Sequence, residues 1–195
     1  ITYLFNIIMM QLVGEHGVAA ITILLYGQFL FNAFYLGFTI GISPIVGFQY
    51  GARDKQKLRN IYHTSFLFVA VSSVFMAVIA IVLSPTIVTI FTDDPATYEL
   101  AAAGFRLFAI NFLFSGISIT SSGFFTALSN GTISAVISFC RTLGFIVLSL
   151  LILPKFLGIT GAWIAIPVAE FCTLLVTGVM HFVYFWKPGI RNYLR

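Results

Sequence analysis

The chain alternates long apolar segments with short polar turns, and the segment at residues 17–52 is the most informative. None of its residues carries a charge. An α-helix of that length, at a rise of about 1.5 Å per residue, exceeds the roughly 30 Å hydrocarbon core of a bilayer. The pattern therefore predicts a membrane-spanning helix that projects beyond one face of the membrane.

The polar residues of this segment follow one another at helical spacing. Steps of four, three, four and four residues place five of them on one side of a helix: Gln28, Asn32, Tyr35, Thr39 and Ser43. A polar group facing lipid costs several kcal/mol unless protein or water satisfies it. The stripe is expected to face a bundle interior or a wet cavity, and for Gln28, Asn32 and Tyr35 both possibilities stay open.

Further apolar segments follow, and turn-forming residues such as Asp94-Pro95 and Asn130-Gly131 separate them. The first segment, 1–13, is too short to span and is interpreted as the end of another helix. Because the chain opens inside it, without Met or a charged leader, we expect a piece of a longer protein. The sequence predicts an all-α polytopic membrane bundle, with the end of one span followed by five complete spans at 17–50, 61–91, 98–128, 132–153 and 163–186.

Composition supports the membrane assignment. Only 8% of the 195 residues are charged, whereas soluble domains carry about 25%. The weak ten-residue alternation of an outer-membrane barrel does not fit these long apolar runs. The net charge of +4 comes from basic residues at helix ends, which argues against nucleic acid as a partner. Cys140 and Cys172 lie inside apolar runs and predict neither a disulfide nor a metal site.

The basic residues also predict the orientation. Four of them lie in the 53–60 loop, and the C-terminal tail carries Lys187, Arg191 and Arg195. Four predicted crossings separate the loop from the tail, so both fall on one side, opposite the acidic turns with Glu15 and Asp93. The positive-inside rule then places the 53–60 loop and the C-terminus in the cytoplasm of a multi-pass inner (plasma) membrane protein.

Polar stripes recur on three other predicted helices. Their members are Asn111, Ser115, Ser118 and Ser122 on one, Ser134, Ser138 and Arg141 on the next, and Glu170, Thr173, Thr177 and His181 on the last. The helix at 61–91 has only Ser72 and Ser73 and is placed at the periphery. Small polar residues also pack membrane helices closely together, so interhelical packing remains an alternative to cavity lining.

Arg141 and Glu170 lie near mid-bilayer on consecutive antiparallel helices and are able to meet. An ionisable residue at that depth costs roughly 2.5–3.5 kcal/mol on insertion scales and is a functional candidate by default. One hypothesis is a structural pair that fixes two helices. The other is that Glu170 binds a cation or takes up a proton, with Arg141 as its partner charge.

The sequence does not predict an enzyme. It contains no HExxH, CxxC or Walker motif, and no Ser, His and acidic residue at matching depth.

Three stretches resemble the multidrug and toxic compound extrusion (MATE) transporters: GISPIVGFQYGARD at 41–54, FFTALSNGTISAVISFCRTLGF at 124–145, and GITGAWIAIPVAEF at 158–171. The resemblance implies the C-terminal lobe of a twelve-helix, two-lobe transporter. Such a protein exports small lipophilic organic cations in exchange for Na⁺ or H⁺ by alternating access. It implies no cofactor beyond the coupling ion, and its implied partners are the N-terminal lobe and membrane lipid.

The resemblance also assigns residues. Pro44, Gly47, Gln49, Tyr50, Gly51 and Ala52 match the motif at the cytoplasmic end of the family's eighth helix, and Arg141, Pro167 and Glu170 match polar positions of helices eleven and twelve. Asn111 stands where some members have an Asp. The expected substrate cleft places Glu170 as the coupling or substrate carboxylate among cavity-lining Gln28, Asn32, Tyr35, Asn111, Ser115, Thr173 and Thr177.

A lipid-linked oligosaccharide flippase of the same superfamily is the alternative. Its cleft is expected to carry several cations for a pyrophosphate, and only Arg106 and Arg141 lie inside the predicted spans.

Overall fold

A computed structural model describes residues 1–186, with side chains through Tyr184, and every regular element in that range is helical. The predicted all-α class is confirmed, whereas the basic tail at 187–195 lies outside the described residues. The elements are α1 (Thr2–Leu12), α2 (Glu15–Gly51), α3 (Lys55–Phe91), α4 (Pro95–Phe108), a 3₁₀ turn (Ala109–Asn111), α5 (Phe112–Ala127), α6 (Gly131–Phe139), a π-turn (Cys140–Gly144) and α7 (Phe145–Trp186).

Four continuous helical stretches are long and apolar enough to cross a membrane: Glu15–Gly51, Lys55–Phe91, Pro95–Ala127 and Gly131–Tyr184. The last one has 54 residues, more than twice the roughly 20 that a bilayer requires. It is interrupted at Gly158, whose backbone is not helical (φ 56°, ψ −133°).

The chain reverses direction at this glycine. Arg141 and Glu170 are 29 residues apart, a distance of about 43 Å along a straight helix. Their side chains nevertheless meet at 2.9 Å. We therefore describe α7 as two antiparallel arms, residues 145–157 and 159–186, and the first arm continues through Pro154 instead of ending there as the sequence suggested.

Side-chain caps fix where three helices begin. The carboxylates of Asp54 and Asp94 accept the backbone N–H groups of Lys57 and Thr97 at 3.0 and 2.9 Å, and Asn130 caps α6 in the same way. The Lys57 amide lowers the pKa of Asp54, and the Thr97 hydroxyl lowers that of Asp94. Because Asp54 caps α3, that helix starts at Lys55. It therefore includes Lys55, Lys57 and Arg59, three of the four basic residues of the predicted 53–60 loop.

A tight turn closes the end of α2. The amide of Asp54 donates to the carbonyl of Gln49 and the amide of Arg53 to that of Tyr50, both at 3.1 Å. In this pattern the first of the two donating residues adopts a left-handed conformation, and Arg53 accordingly has φ 56°. The end of α5 has the same pattern, with Ser129 as its left-handed residue (φ 59°).

Aromatic side chains lying directly on glycines bring α2, α4 and α7 together. A Cβ on Gly27 would lie 2.5 Å from Cε2 of Phe105, and a Cβ on Gly104 would lie 2.8 Å from the indole of Trp163. These contacts belong to the larger apolar core. They hold the second arm of α7, which carries Glu170, against the rest of the bundle.

Candidate functional site

A cavity of about 350 Å³ brings together four of the predicted polar residues. Gln28 and Asn32 reach it from α2, Arg141 from the π-turn and Glu170 from the second arm of α7. Its remaining lining is mostly apolar and comes from α1 with the preceding residue, α2, α5, the π-turn and α7: Ile1, Thr2, Leu25, Phe29, Leu36, Ile119, Thr142, Ile146 and Ile166. The cavity therefore combines one ion pair and two amides with apolar walls.

The ion pair is the electrostatic centre of the cavity. Nε of Arg141 lies 2.9 Å from Oε1 of Glu170 and 3.2 Å from Oε2, so one N–H faces both carboxylate oxygens. The Glu170 side chain is 1% exposed and that of Arg141 is 17% exposed. An isolated buried carboxylate is very costly, and Arg141 offsets this cost. Another cation can therefore bind the carboxylate only in competition with Arg141.

The π-turn at Cys140–Gly144 places Arg141 in the cavity wall. Arg141 and Thr142 are consecutive residues of this turn and both line the cavity, as the consecutive Gln28 and Phe29 of α2 also do. Isolated π-turns within helices occur frequently at functional sites because the extra residue redirects side chains. The π-turn therefore carries the ion-pairing side chain and, directly after it, a hydroxyl of the cavity wall.

Asn32 offers a further acceptor. Its Oδ1 is buried and accepts no hydrogen bond from the part of the chain that the structure describes. Gln28 lies one helical turn earlier on the same face of α2. With Glu170, these amides form a set of oxygen acceptors suited to a cation.

The other five predicted lining residues do not reach this cavity and are buried between helices: Tyr35, Asn111, Ser115, Thr173 and Thr177. The Thr173 hydroxyl donates to the carbonyl of Ala169 at 2.8 Å, and the Asn111 amide nitrogen donates to that of Phe108 at 2.6 Å. Such bonds to the preceding turn allow polar residues to pack at a helix interface. A lining role for these five stays a prediction.

The 44–51 motif forms the end of α2 and lies outside the cavity lining. A Cβ on Gly47 would lie 3.6 Å from the carbonyl of Ala127 at the end of α5. The carbonyls of Gln49 and Tyr50 accept the two hydrogen bonds of the turn that follows α2. Gly51 is the last residue of the helix, and the side chain of Pro44 is exposed. The motif thus shapes the connection to α3.

Thr142 and the apolar walls of the cavity are not among the predicted site residues. Thr142 follows Arg141 directly in the π-turn, which no sequence pattern marked. Leu25, Ile146 and Ile166 do not differ in type from the apolar residues that fill every span, so nothing in the sequence singles them out.

Comparison with known proteins assigns the family. The profile of the MatE family matches residues 1–151. The chain belongs to the MatE family. MatE members are transporters and not enzymes, which confirms that expectation, and both the suspected resemblance and the membrane-embedded character are confirmed with it.

Individual MatE relatives agree with this assignment. The human multidrug and toxin extrusion protein 1 is 27% identical over 143 residues, which are 71% of this chain and 24% of that protein. An outward-facing multidrug resistance MATE transporter of the MOP superfamily superposes with a TM-score of 0.85 at 20% identity, covering 93% of this chain and 41% of the other.

A MOP superfamily transporter of Pyrococcus furiosus gives a TM-score of 0.84 at 20% identity, covering 95% of this chain and 43% of the other. The reversed polarity of its binding pocket is described as suggesting a different function. At this identity the structural likeness shows the fold alone. The chain spans about a quarter of the curated relative and about two-fifths of each solved transporter.

Proposed function

We propose that this chain is the C-terminal six-helix lobe of a twelve-helix MatE transporter, with five complete crossings and the end of a sixth. The whole protein exports small lipophilic organic cations in antiport with Na⁺ or H⁺ by alternating access, and the lobe pairs with an N-terminal lobe in the inner (plasma) membrane. The fold at Gly158, which divides a 54-residue helical stretch into two antiparallel arms, supports the fifth crossing.

The buried Glu170–Arg141 pair in a mostly apolar cavity carries this proposal. The carboxylate and two amide oxygens are ligands for a cation that displaces Arg141, and apolar walls that include Phe29 suit a lipophilic cation through dispersion and cation–π attraction. Because a single carboxylate serves the cavity, the substrate cation and the coupling cation compete for it. Competition for one site is the simplest way for binding of one to favour release of the other.

The charge distribution supports the orientation with the 53–60 loop and the tail in the cytoplasm. Arg53, Lys55, Lys57 and Arg59 cluster at the junction of α2 and α3, and each is exposed. Asp93, Asp94 and Glu99 cluster at the junction of α3 and α4, also exposed. A basic end and an acidic end, separated by the length of α3, follow the positive-inside pattern.

The small number of basic residues in the described cavity argues against the flippase alternative. Arg141 is the single basic side chain among the residues that line the described cavity, and Arg106 is exposed on α4 outside it. A pyrophosphate requires several cations, so this cavity is better suited to a cationic substrate.

The proposal is tested by ethidium accumulation in cells that lack other exporters and express the full-length protein, with and without a Na⁺ gradient. We expect accumulation to fall when the protein is present, and the drop to disappear when the coupling gradient is collapsed. Unchanged ethidium levels at verified membrane expression would contradict multidrug export and favour the flippase.

A further inference from the structure

A second cavity lies between α2 and α3 near the basic end of the bundle. It measures about 430 Å³, and its walls include Phe38, Ile42 and Ile45 of α2 and Ile61, Thr64 and Phe68 of α3. The Phe38 and Phe68 rings lie 4.8 Å apart. We call this feature the α2–α3 groove.

The groove is distinct from the cavity that holds Glu170. The two share no lining residue. Asn32 and Phe38 are six positions apart on α2, so their side chains point about 120° away from each other around the helix. A ligand of the groove therefore does not contact the ion pair.

One cation is aligned with the groove. Lys57, Ile61, Thr64 and Phe68 follow at steps of four, three and four residues, which places Lys57 on the groove-lining face of α3. Arg59 is two positions further along, about 200° around the helix. The Lys57 side chain is 68% exposed, and Nζ lies 3.2 Å from Asp54. An ammonium group has three N–H donors, so Lys57 retains donors for a second anion.

The dimensions match one leaflet of a bilayer. The α3 wall of the groove runs from Asn60 to Phe68, a rise of about 12 Å. Lys57 lies about 16 Å from Phe68 along the helix axis, close to half of the roughly 30 Å hydrocarbon core. A mostly apolar groove with a cation beyond one end complements an acyl chain with an anionic headgroup.

We propose that the α2–α3 groove binds an anionic phospholipid of the leaflet on the side of the α2–α3 junction. One acyl chain lies between α2 and α3, and the lipid phosphate accepts hydrogen bonds from Lys57. This site goes beyond the proposed transport function and does not depend on it. It requires only that α2 and α3 span the membrane.

The test uses the purified full-length protein and native mass spectrometry with palmitoyl-oleoyl phosphatidylglycerol or palmitoyl-oleoyl phosphatidylcholine. The variants are Lys57→Gln, the matched control Arg59→Gln, and Thr64→Trp, which fills the groove. Each variant must first show the thermal stability of the parent protein. If Lys57→Gln fails this requirement, it is replaced by Lys57→Met, and if Thr64→Trp fails it, by Thr64→Phe.

We expect the parent protein to retain phosphatidylglycerol in preference to phosphatidylcholine. Lys57→Gln should lower phosphatidylglycerol retention about fivefold, the effect of one basic residue at a lipid surface, whereas Arg59→Gln should leave it unchanged. Thr64→Trp should reduce retention of both lipids.

Three results would overturn the proposal: equal retention of the two lipids, equal losses from Lys57→Gln and Arg59→Gln, or retention unaffected by Thr64→Trp. A photoreactive residue at Ile45 provides an independent check. Cross-linking to lipid supports the site, and cross-linking to the other lobe or to a second copy shows that protein covers the groove and refutes it.

Discussion

Replacing Glu170 with Gln is expected to abolish drug efflux while leaving folded protein in the membrane. Gln has nearly the same size, and its amide oxygen still accepts a hydrogen bond from Nε of Arg141, which lies 2.9 Å from the carboxylate in the parent protein. The variant therefore loses the charge but not the contact. If Glu170 is the carboxylate that substrate and coupling ion share, ethidium accumulation should rise to that of cells without the transporter.

Two measurements show whether the Glu170→Gln variant is folded. Membrane expression and elution as a single species in detergent show that Glu170→Gln folds. Normal efflux at normal expression would rule out a coupling or substrate-binding role for Glu170. Loss of efflux together with aggregation would favour a purely structural pair. Thr142→Val serves as the matched control, because it changes the same cavity without touching the carboxylate, and its efflux should remain measurable.

Replacing Arg141 with Met is expected to cause the largest loss of stability. It leaves the Glu170 carboxylate, which is 1% exposed, without its cation. Removing one partner of a buried ion pair typically costs about 3–5 kcal/mol. The Arg141 side chain is partly exposed to the cavity, so we expect a loss near the lower end, about 3 kcal/mol, measured as a lower midpoint of thermal unfolding in detergent.

A double variant separates the charge from the packing. Arg141→Met combined with Glu170→Leu removes both charges and keeps apolar volume, and such replacements are often neutral or stabilising. The double variant should unfold within about 1 kcal/mol of the parent protein, and the magnitude of the coupling energy between the two sites should therefore be at least about 2 kcal/mol. Additive losses from the two single variants would contradict a direct pair.

The sequence predicts which site residues lie at the same depth in the bilayer and on helices of opposite direction. Glu170 and Arg141 each lie about ten residues from a turn on consecutive helices, so an antiparallel arrangement brings them to one level, and the structure has them in contact. Charge in an apolar span is a strong signal because the bilayer penalises it. The all-α class follows from the same solvent argument.

The rotation of each helix about its axis and the exact positions of local breaks in helical geometry could not be predicted from the sequence. Asn32 and Tyr35 belong to one stripe, yet Asn32 lines the cavity and Tyr35 is fully buried. Three residues correspond to about 60° of rotation on a helix, and neighbouring helices decide which of the two faces the cavity. The π-turn at Arg141 left no signal in the apolar pattern. The break at Gly158 lies between the predicted spans 132–153 and 163–186, but the sequence ended the first of these helices at Pro154, four residues too early.

The central claim is that polar side chains at bilayer depth face water inside the lobe. Its most direct test is cysteine labelling of the full-length protein in cells, after replacement of Cys140, Cys172 and any other cysteines by Ser. Single cysteines replace Asn32 and Thr142 in the cavity and Val74 on the outer surface of α3, where it is 56% exposed. A membrane-impermeant thiol reagent should label the first two and spare the third, and an organic cation should slow the labelling. If the reagent reaches neither cavity position from either side of the membrane, the lobe holds no aqueous pathway and the transport proposal is wrong.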